Sequence, residues 1–358
     1  VVEWDPATGK CLGLRIWEGV TNLVLRSEDF TTTWITFRGS ITPNAIAAPS
    51  GATTADKLVE DTTANLTHGT YQVITVANGT QYTFSVFAKA GERTAVSIRA
   101  GLTGGEANAA IFNLATGTVT ISYAGYTAQI VNAGNGWYRC AVTATSSVTS
   151  SVFVITTAIS GNNSYTGDGT SGIYLWGAQL TTGSVLAPYV PTTGSTATTS
   201  ATLLSLSGEP FSRLWNKSEL SFVADFTCAQ AATGSSQFFM RASDNSYSNQ
   251  SSLSITSLGF PQIATAAGGV FDGNASAPNA ITSGTPLRIA GALQTNDLVI
   301  DFLGATGTDS TATLPSSLTR LDIGSDHLGL NRVTGMYLRR LAIYAKRLTN
   351  SQLRQLNL

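Results

Sequence analysis

The residues that could do chemistry are few in this chain and thinly spread. Histidine occurs twice, at His68 and His327, and cysteine three times, at Cys11, Cys140 and Cys228. The 20 Lys and Arg and 21 Asp and Glu amount to 11% of 358 residues, against roughly a quarter in an average soluble domain. No H-x-x-x-H pair, G-x-S-x-G elbow, Walker loop or dinucleotide fingerprint is present. His68 stands between an N-x-T and Gly69, a turn context with no catalytic partner in sequence. Glycoside hydrolysis needs two carboxylates flanking the scissile bond. The E-x-D-x-x-E run common in sandwich glycosidases is missing, and the doublets Glu28-Asp29 and Glu60-Asp61 would point to opposite faces of an extended chain. A non-enzymatic protein is therefore expected.

Binding chemistry is better supplied. Sugars present apolar C–H faces among hydroxyls, so their sites pair an exposed ring with Asn, Asp, Gln or Arg. Trp34 in a Thr-rich segment, and Tyr123, Tyr126, Tyr165 and Tyr247 beside Gly, Ser or Asn turns, are the candidate platforms. The ordinary alternative for each is a half-buried ring at the rim of a sandwich. Trp137 and Trp176 lie in strongly apolar runs and read as core. Calcium would need six or seven oxygens. The best group for it, Asp322, Asp326 and Asn331 in "LDIGSDHLGLN", better suits a turn in which Asp bonds its own backbone, so neither metal nor cofactor is expected. The basic series after Asp326, chiefly Arg332, Arg339, Arg340 and Arg347, is either a solvated strand face or a docking patch for an acidic polysaccharide or a neighbouring subunit. The cysteines form no C-x-x-C pair, which argues against zinc or redox chemistry. Cys140 and Cys228 read as buried thiols, and Cys11 is free to pair with a neighbouring subunit.

Such residues need elements to hold them, and the elements read as strands. Short runs such as "QYTFSVFAKA", "WYRCAVTAT", "SVFVITTAI" and "ELSFVADFT" alternate with turn signals at Asn78-Gly79, 115–117, 134–136 and Asp168-Gly169. This predicts an all-β chain of two antiparallel β-sandwich, jelly-roll domains in tandem. The first spans residues 1–190, a Thr/Ser/Gly/Pro linker 191–205, and the second 206–358. A short C-terminal helix capped by Thr349 or Asn350 presents Leu348, Leu353 and Leu356 on its apolar side. A net charge of −1 gives no field for nucleic acid. The chain has no apolar run long enough to insert in a membrane and no secretion signal at its start.

Two stretches are familiar. The opening "WDPATGKCLGLRIWEGVTNLVLRSEDFTTTW", with "NGWYRCAVTAT" and "GIYLWGAQLTTGSVLAPYVPTTGS", resembles a carbohydrate-binding jelly-roll module of tailed-bacteriophage and prophage tail-fibre or spike proteins. The stretch from "LRIAGALQTNDLVIDFLG" through "VTGMYLRRLAIYAKRLTNSQLRQL" resembles the concanavalin-A-like, laminin-G-like lectin domain often attached to it. The opening motif departs from its usual form in carrying Val20 where an arginine is common. The resemblance implies a virion protein, a homotrimer assembled in the host cytoplasm and working outside it. Its partners would be host surface polysaccharide and other virion proteins. The alternatives are a purely architectural capsid, neck or tail decoration and, third, a polysaccharide depolymerase.

Overall fold

A computed structural model describes residues 2–5, 8–104 and 108–357; Pro6 and Ala7 of the opening phrase lie outside them. The chain is all-β, with every pairing between its named strands antiparallel, as expected. It divides into two compact units.

The first unit is built on Val20–Thr199. Two six-stranded sheets face each other across a core that includes Phe84 from one and Phe153 from the other, their rings 5.0 Å apart. The sequence sets this up through strands with one apolar face and turns with the required backbone. Asn135 and Gly136 both adopt positive φ between Thr127–Gly134 and Trp137–Thr145, the geometry of a tight two-residue hairpin. Asn78-Gly79, by contrast, joins strands that belong to opposite sheets.

The second unit contains Lys10–Gly19 and Ser200–Leu358. A seven-stranded sheet packs on a six-stranded one, with Phe226 and Phe239 meeting at 4.5 Å in the core between them. The C-terminal helix Asn350–Leu356 begins with a capping box at Thr349 and lays Leu353 on Val223, Ala290, Ala292 and Val299 of the seven-stranded sheet. A second short helix, Glu209–Leu214, has no forecast in the sequence reading.

The start of the chain differs from expectation. Strands Val2–Trp4 and Cys11–Ile16 hydrogen-bond into the seven-stranded sheet, where Leu14 pairs with Leu338. Residues 2–4 and 10–19 therefore belong with the second sandwich, not with a domain spanning 1–190. Nor is 191–205 a loose tether: Ala197–Thr199 pairs with Val20–Asn22, and Leu204–Ser207 already pairs with Arg320–Ile323. Backbone pairing over such sequence separation leaves no local pattern to read.

Candidate functional site

The site is built on the outer side of the second unit's six-stranded sheet. In Gln237–Ser243, Phe239, Met240 and Ala242 belong to the core, so Arg241 points out; register sets it between Asp322 and Ser252 of the neighbouring strands. The strand is followed by the polar loop 244–249, in which Asp244 accepts from the Ser246 N–H at 3.1 Å and from Asn249 Nδ2 at 2.8 Å. That turn delivers Tyr247 back over the outward-facing arginine.

Arg241 is fully buried. It hydrogen-bonds to Gln250 Oε1 and His327 Nδ1, and donates to the Ser246 carbonyl at 2.7 Å. Its guanidinium lies 4.3 Å from the Tyr247 ring centroid and 5.5 Å from that of Phe238, within cation–π range of both. Burial pulls its pKa down, opposed by Tyr247, Asp326, Asp322 and Asp244. The arginine is the post on which the site is assembled and has no surface of its own to offer.

Two side chains present that assembly to solvent. Tyr247 is 40% exposed, and its hydroxyl donates to Asp326 Oδ2 at 2.6 Å. Burial and this carboxylate raise the phenol pKa, so it stays protonated. His327 is half-buried and packs against Tyr247 with ring centroids 4.9 Å apart. Burial and the charge of Arg241 lower its pKa. Since Nδ1 accepts from an arginine, the imidazole is neutral with its proton on Nε2, a donor with no partner among the described residues.

The turn "SDHLGLN" explains the acids. Asp326 accepts from the N–H groups of Leu328 and Leu330 at 2.9 and 2.8 Å, from Asn331 Nδ2 at 2.8 Å, and from Tyr247. Burial pushes its pKa up, but these hydrogen bonds outweigh it and the net shift is down. Asp322 is held by Arg320, and burial raises its pKa. The calcium candidates thus resolve into a turn anchor and an ion pair. Among the described residues no group of three or more His, Cys, Asp or Glu gathers as a metal would require.

The other candidate platforms are not open. Trp34 is 5% exposed, packs 4.9 Å from Phe30 inside the first sandwich, and donates Nε1 to the Arg26 carbonyl at 3.3 Å. Tyr126 is buried in the same core and bonds the Ala100 carbonyl. Tyr165 is buried, its hydroxyl 2.5 Å from both Glu60 Oε2 and Thr157 Oγ1, in a network that also holds Arg93 and Asp168. Tyr123 is half-buried against Ala95, Ile111 and Ala158. Turn-rich sequence marks these rings as exposed, but Trp34 and Tyr126 are covered by the sandwich core, Tyr123 by a small apolar cluster and Tyr165 by its polar network. Trp137 and Trp176 are buried as read, in a cluster outside the main core.

The basic series is not one free cationic surface. Arg332 Nη1 donates to the Thr202 carbonyl at 2.6 Å, and Arg347 pairs with Asp297 at 3.0 Å, leaving Arg339 and Arg340 exposed. Cys140 and Cys228 are buried, burial pushing the Cys228 thiol up to about 11, and Cys11 is exposed. His68 is fully buried, with Nδ1 2.8 Å from the Arg38 carbonyl and Nε2 3.2 Å from that of Tyr165.

Of the singled-out residues, then, Tyr247, Asp326 and Asn331 converge, with Asp322 one strand away. Arg241, His327 and Gln250 were missed. The available signal was Arg241 itself, a lone charge in the apolar run "SQFFMRAS" just ahead of "DNSYSN".

No protein-family model matches the chain, and no curated protein is similar to it in sequence. Among solved structures, it is similar to the CBM40 of Ruminococcus gnavus IT-sialidase bound to α2,3-sialyllactose. The two are 14% identical, with a TM-score of 0.38 over 44% of this chain and 92% of that one. It is also similar to domains LG4-5 of the mouse laminin α1 chain, at 8% identity and a TM-score of 0.30 over 80% and 92%. The CBM22-1–CBM22-2 tandem of Paenibacillus barcinonensis Xyn10C matches over 93% and 100%, at 9% identity and a TM-score of 0.28.

Proposed function

We propose that the protein is a non-enzymatic glycan-binding component of a phage particle, a tail fibre, spike or appendage, whose second sandwich holds host surface polysaccharide at Tyr247. The observation that carries the binding reading is the Tyr247–His327 pair. A tyrosine ring 40% open to solvent is held from beneath by a buried arginine, and beside it a neutral imidazole offers an uncommitted N–H. An apolar plane next to fixed polar groups is what a sugar's C–H face and hydroxyls need.

A non-catalytic role fits the same residues. The Asp326 carboxylate accepts four protein hydrogen bonds and its pKa is lowered, so it is not poised to trade protons with a substrate. The setting on a virion rests on the sequence phrases that resemble tail-fibre and spike modules. A homotrimer would turn shallow, weak sites into useful attachment by avidity, a gain of roughly 10²–10⁴. Other virion proteins would hold it in the particle.

A glycan array probed with the intact protein and with Tyr247→Ala tests this. Retention of a host glycan by the wild type and its loss in the variant, with no new reducing ends released, is expected. No binding by the intact protein overturns the attachment reading in favour of architecture. New reducing ends overturn it in favour of a depolymerase.

A further inference from the structure

The register that builds the Tyr247 site continues across three more strands, Gln250–Ile255, Pro261–Ala267 and Val270–Ser276. On the outer side Arg241 opposes Ser252, Ser252 opposes Ala264, and Ala264 opposes Asn274. One row nearer the loops, Ser243 opposes Gln250, Gln250 opposes Ala266, and Ala266 opposes Phe271. Directly opposed residues share a face, and the alternate positions Ile263 and Ala275 lie in the core. Phe271 and Asn274 therefore stand on the same side as Arg241 and the ring that covers it.

Phe271 is 63% exposed, with Gln262 and Ala264 half-exposed and Asn274 exposed beside it. Three strand spacings of ~4.8 Å set Val270–Ser276 about 14 Å from Gln237–Ser243. The two ring-bearing loops are fastened together: the Gly268 N–H donates to Asn249 Oδ1 at 2.9 Å and the Gly269 N–H to the Ser248 carbonyl at 2.8 Å. On the side of Asn274 away from the loops, Gln262 Nε2 donates to Asn274 Oδ1 and Ser276 Oγ at 2.8 and 3.1 Å. Gln262 Oε1 and Asn274 Nδ2 are left without partners among the described residues, one acceptor and one donor facing outward.

We propose that a linear, uncharged oligosaccharide of several residues lies across these strands, stacking on Tyr247 at one end and Phe271 at the other and bonding Asn274 and Gln262 along its flank. The inference rests on the Tyr247 reading above. The strand of Arg241, over which Tyr247 sits, and the strand of Phe271 lie about 14 Å apart, beyond the reach of one sugar, so the strip selects for chain length. Its open groups, Tyr247, Gln262, Ala264, Phe271 and Asn274, carry no charge, Arg241 beneath Tyr247 is fully buried, and the Asp309 carboxylate that meets Asn274 accepts its backbone N–H at 2.8 Å.

The test is binding of the intact protein to neutral gluco-, galacto- and manno-oligosaccharides of one to six residues, with uronic-acid oligomers as the charged series. Wild type, Phe271→Ala and Tyr247→Ala are compared. Affinity should rise with length in a neutral series. Phe271→Ala should lose about tenfold on the longest chains and nothing on the shortest, as expected for one stacking contact, whereas Tyr247→Ala should lose both. Equal binding by Phe271→Ala at every length overturns the strip and leaves the Tyr247 site standing. Preference for the charged series overturns the uncharged ligand. No binding at any length by the wild type removes the Tyr247 reading and this inference with it. Phe271 is an exposed edge-strand residue, and a thermal melt of the variant confirms that it folds.

Discussion

Both sandwiches set an arginine against aromatic rings on the outer side of a six-stranded sheet. In the first, Arg139 lies 5.2 Å from the Phe87 ring, donates to the Ala187 carbonyl at 2.7 Å and is 8% exposed. In the second, Arg241 lies 4.3 Å from Tyr247 and is fully buried. The difference is in what covers the rings. Trp137 Nε1 reaches the Ala47 carbonyl, Trp176 Nε1 reaches Thr54 Oγ1, and Tyr189 packs 4.8 Å from Trp176. Flanking segments thus close over the first cluster and make it a small second core. Around Tyr247 the short loop 244–249 is pinned by hydrogen bonds to Gly268, Gly269, Ser317 and Arg320, and no apolar side chain among the described residues is laid over the ring, which is 40% exposed as a residue. An aromatic with an arginine under it stays open to solvent only where no neighbouring segment has apolar residues to lay on top.

The comparison can be broken most severely from the closed side. Trp137→Ala should cost about 3–5 kcal/mol of the first sandwich's stability, read as an early urea transition, with glycan binding by the second sandwich retained. A loss under about 1 kcal/mol would mean that the cluster does not act as a core.

On the open side the effects invert. Tyr247→Ala should remove one hydrogen bond and one cation–π contact, about 2 kcal/mol of stability, while lowering glycan affinity tenfold or more, roughly 1.4 kcal/mol. Wild-type affinity in the folded variant would move the site elsewhere.

A smaller effect tests the neutral imidazole. The folded pKa of His327 lies below its ordinary value of 6.5, so as pH falls the unfolded chain takes up the proton first. Stability should therefore decline as pH drops from about 6.5 toward that lowered pKa, and His327→Gln, which keeps an acceptor for Arg241, should remove the slope. Asp326, with its depressed pKa, adds a separate loss only lower, in the carboxylate range. Identical pH profiles for the two proteins would contradict the neutral imidazole. The smallest change belongs to Phe271→Ala, whose melting should move by no more than the equivalent of ~0.5 kcal/mol; a larger shift would mean that the ring is packed rather than presented.

Much of the fold was legible because β-structure writes itself locally. Alternation marked strands such as Gln81–Ala90 and Trp137–Thr145, Asn135-Gly136 marked a hairpin, and Thr349 marked the helix start. The site was legible only in pieces. Tyr247 reads as a turn aromatic and Asp326 and Asn331 as weak metal ligands, but their common centre, Arg241, does not stand out, because a charge inside an apolar run carries no sign of which face it takes.

The sequence by itself determined the class of structure, the scarcity of groups able to do acid–base work, and the turn chemistry of Asp326, all properties of spacing within a few residues. Tertiary structure decided three things: that the opening strands join the second sandwich, that Trp34, Tyr126 and Tyr165 are sealed, and that Tyr247 is open. Those outcomes depend on register and on what packs over a ring from far along the chain. Arg241 and His327 are 86 residues apart, and only the folded sheet brings them within one hydrogen bond.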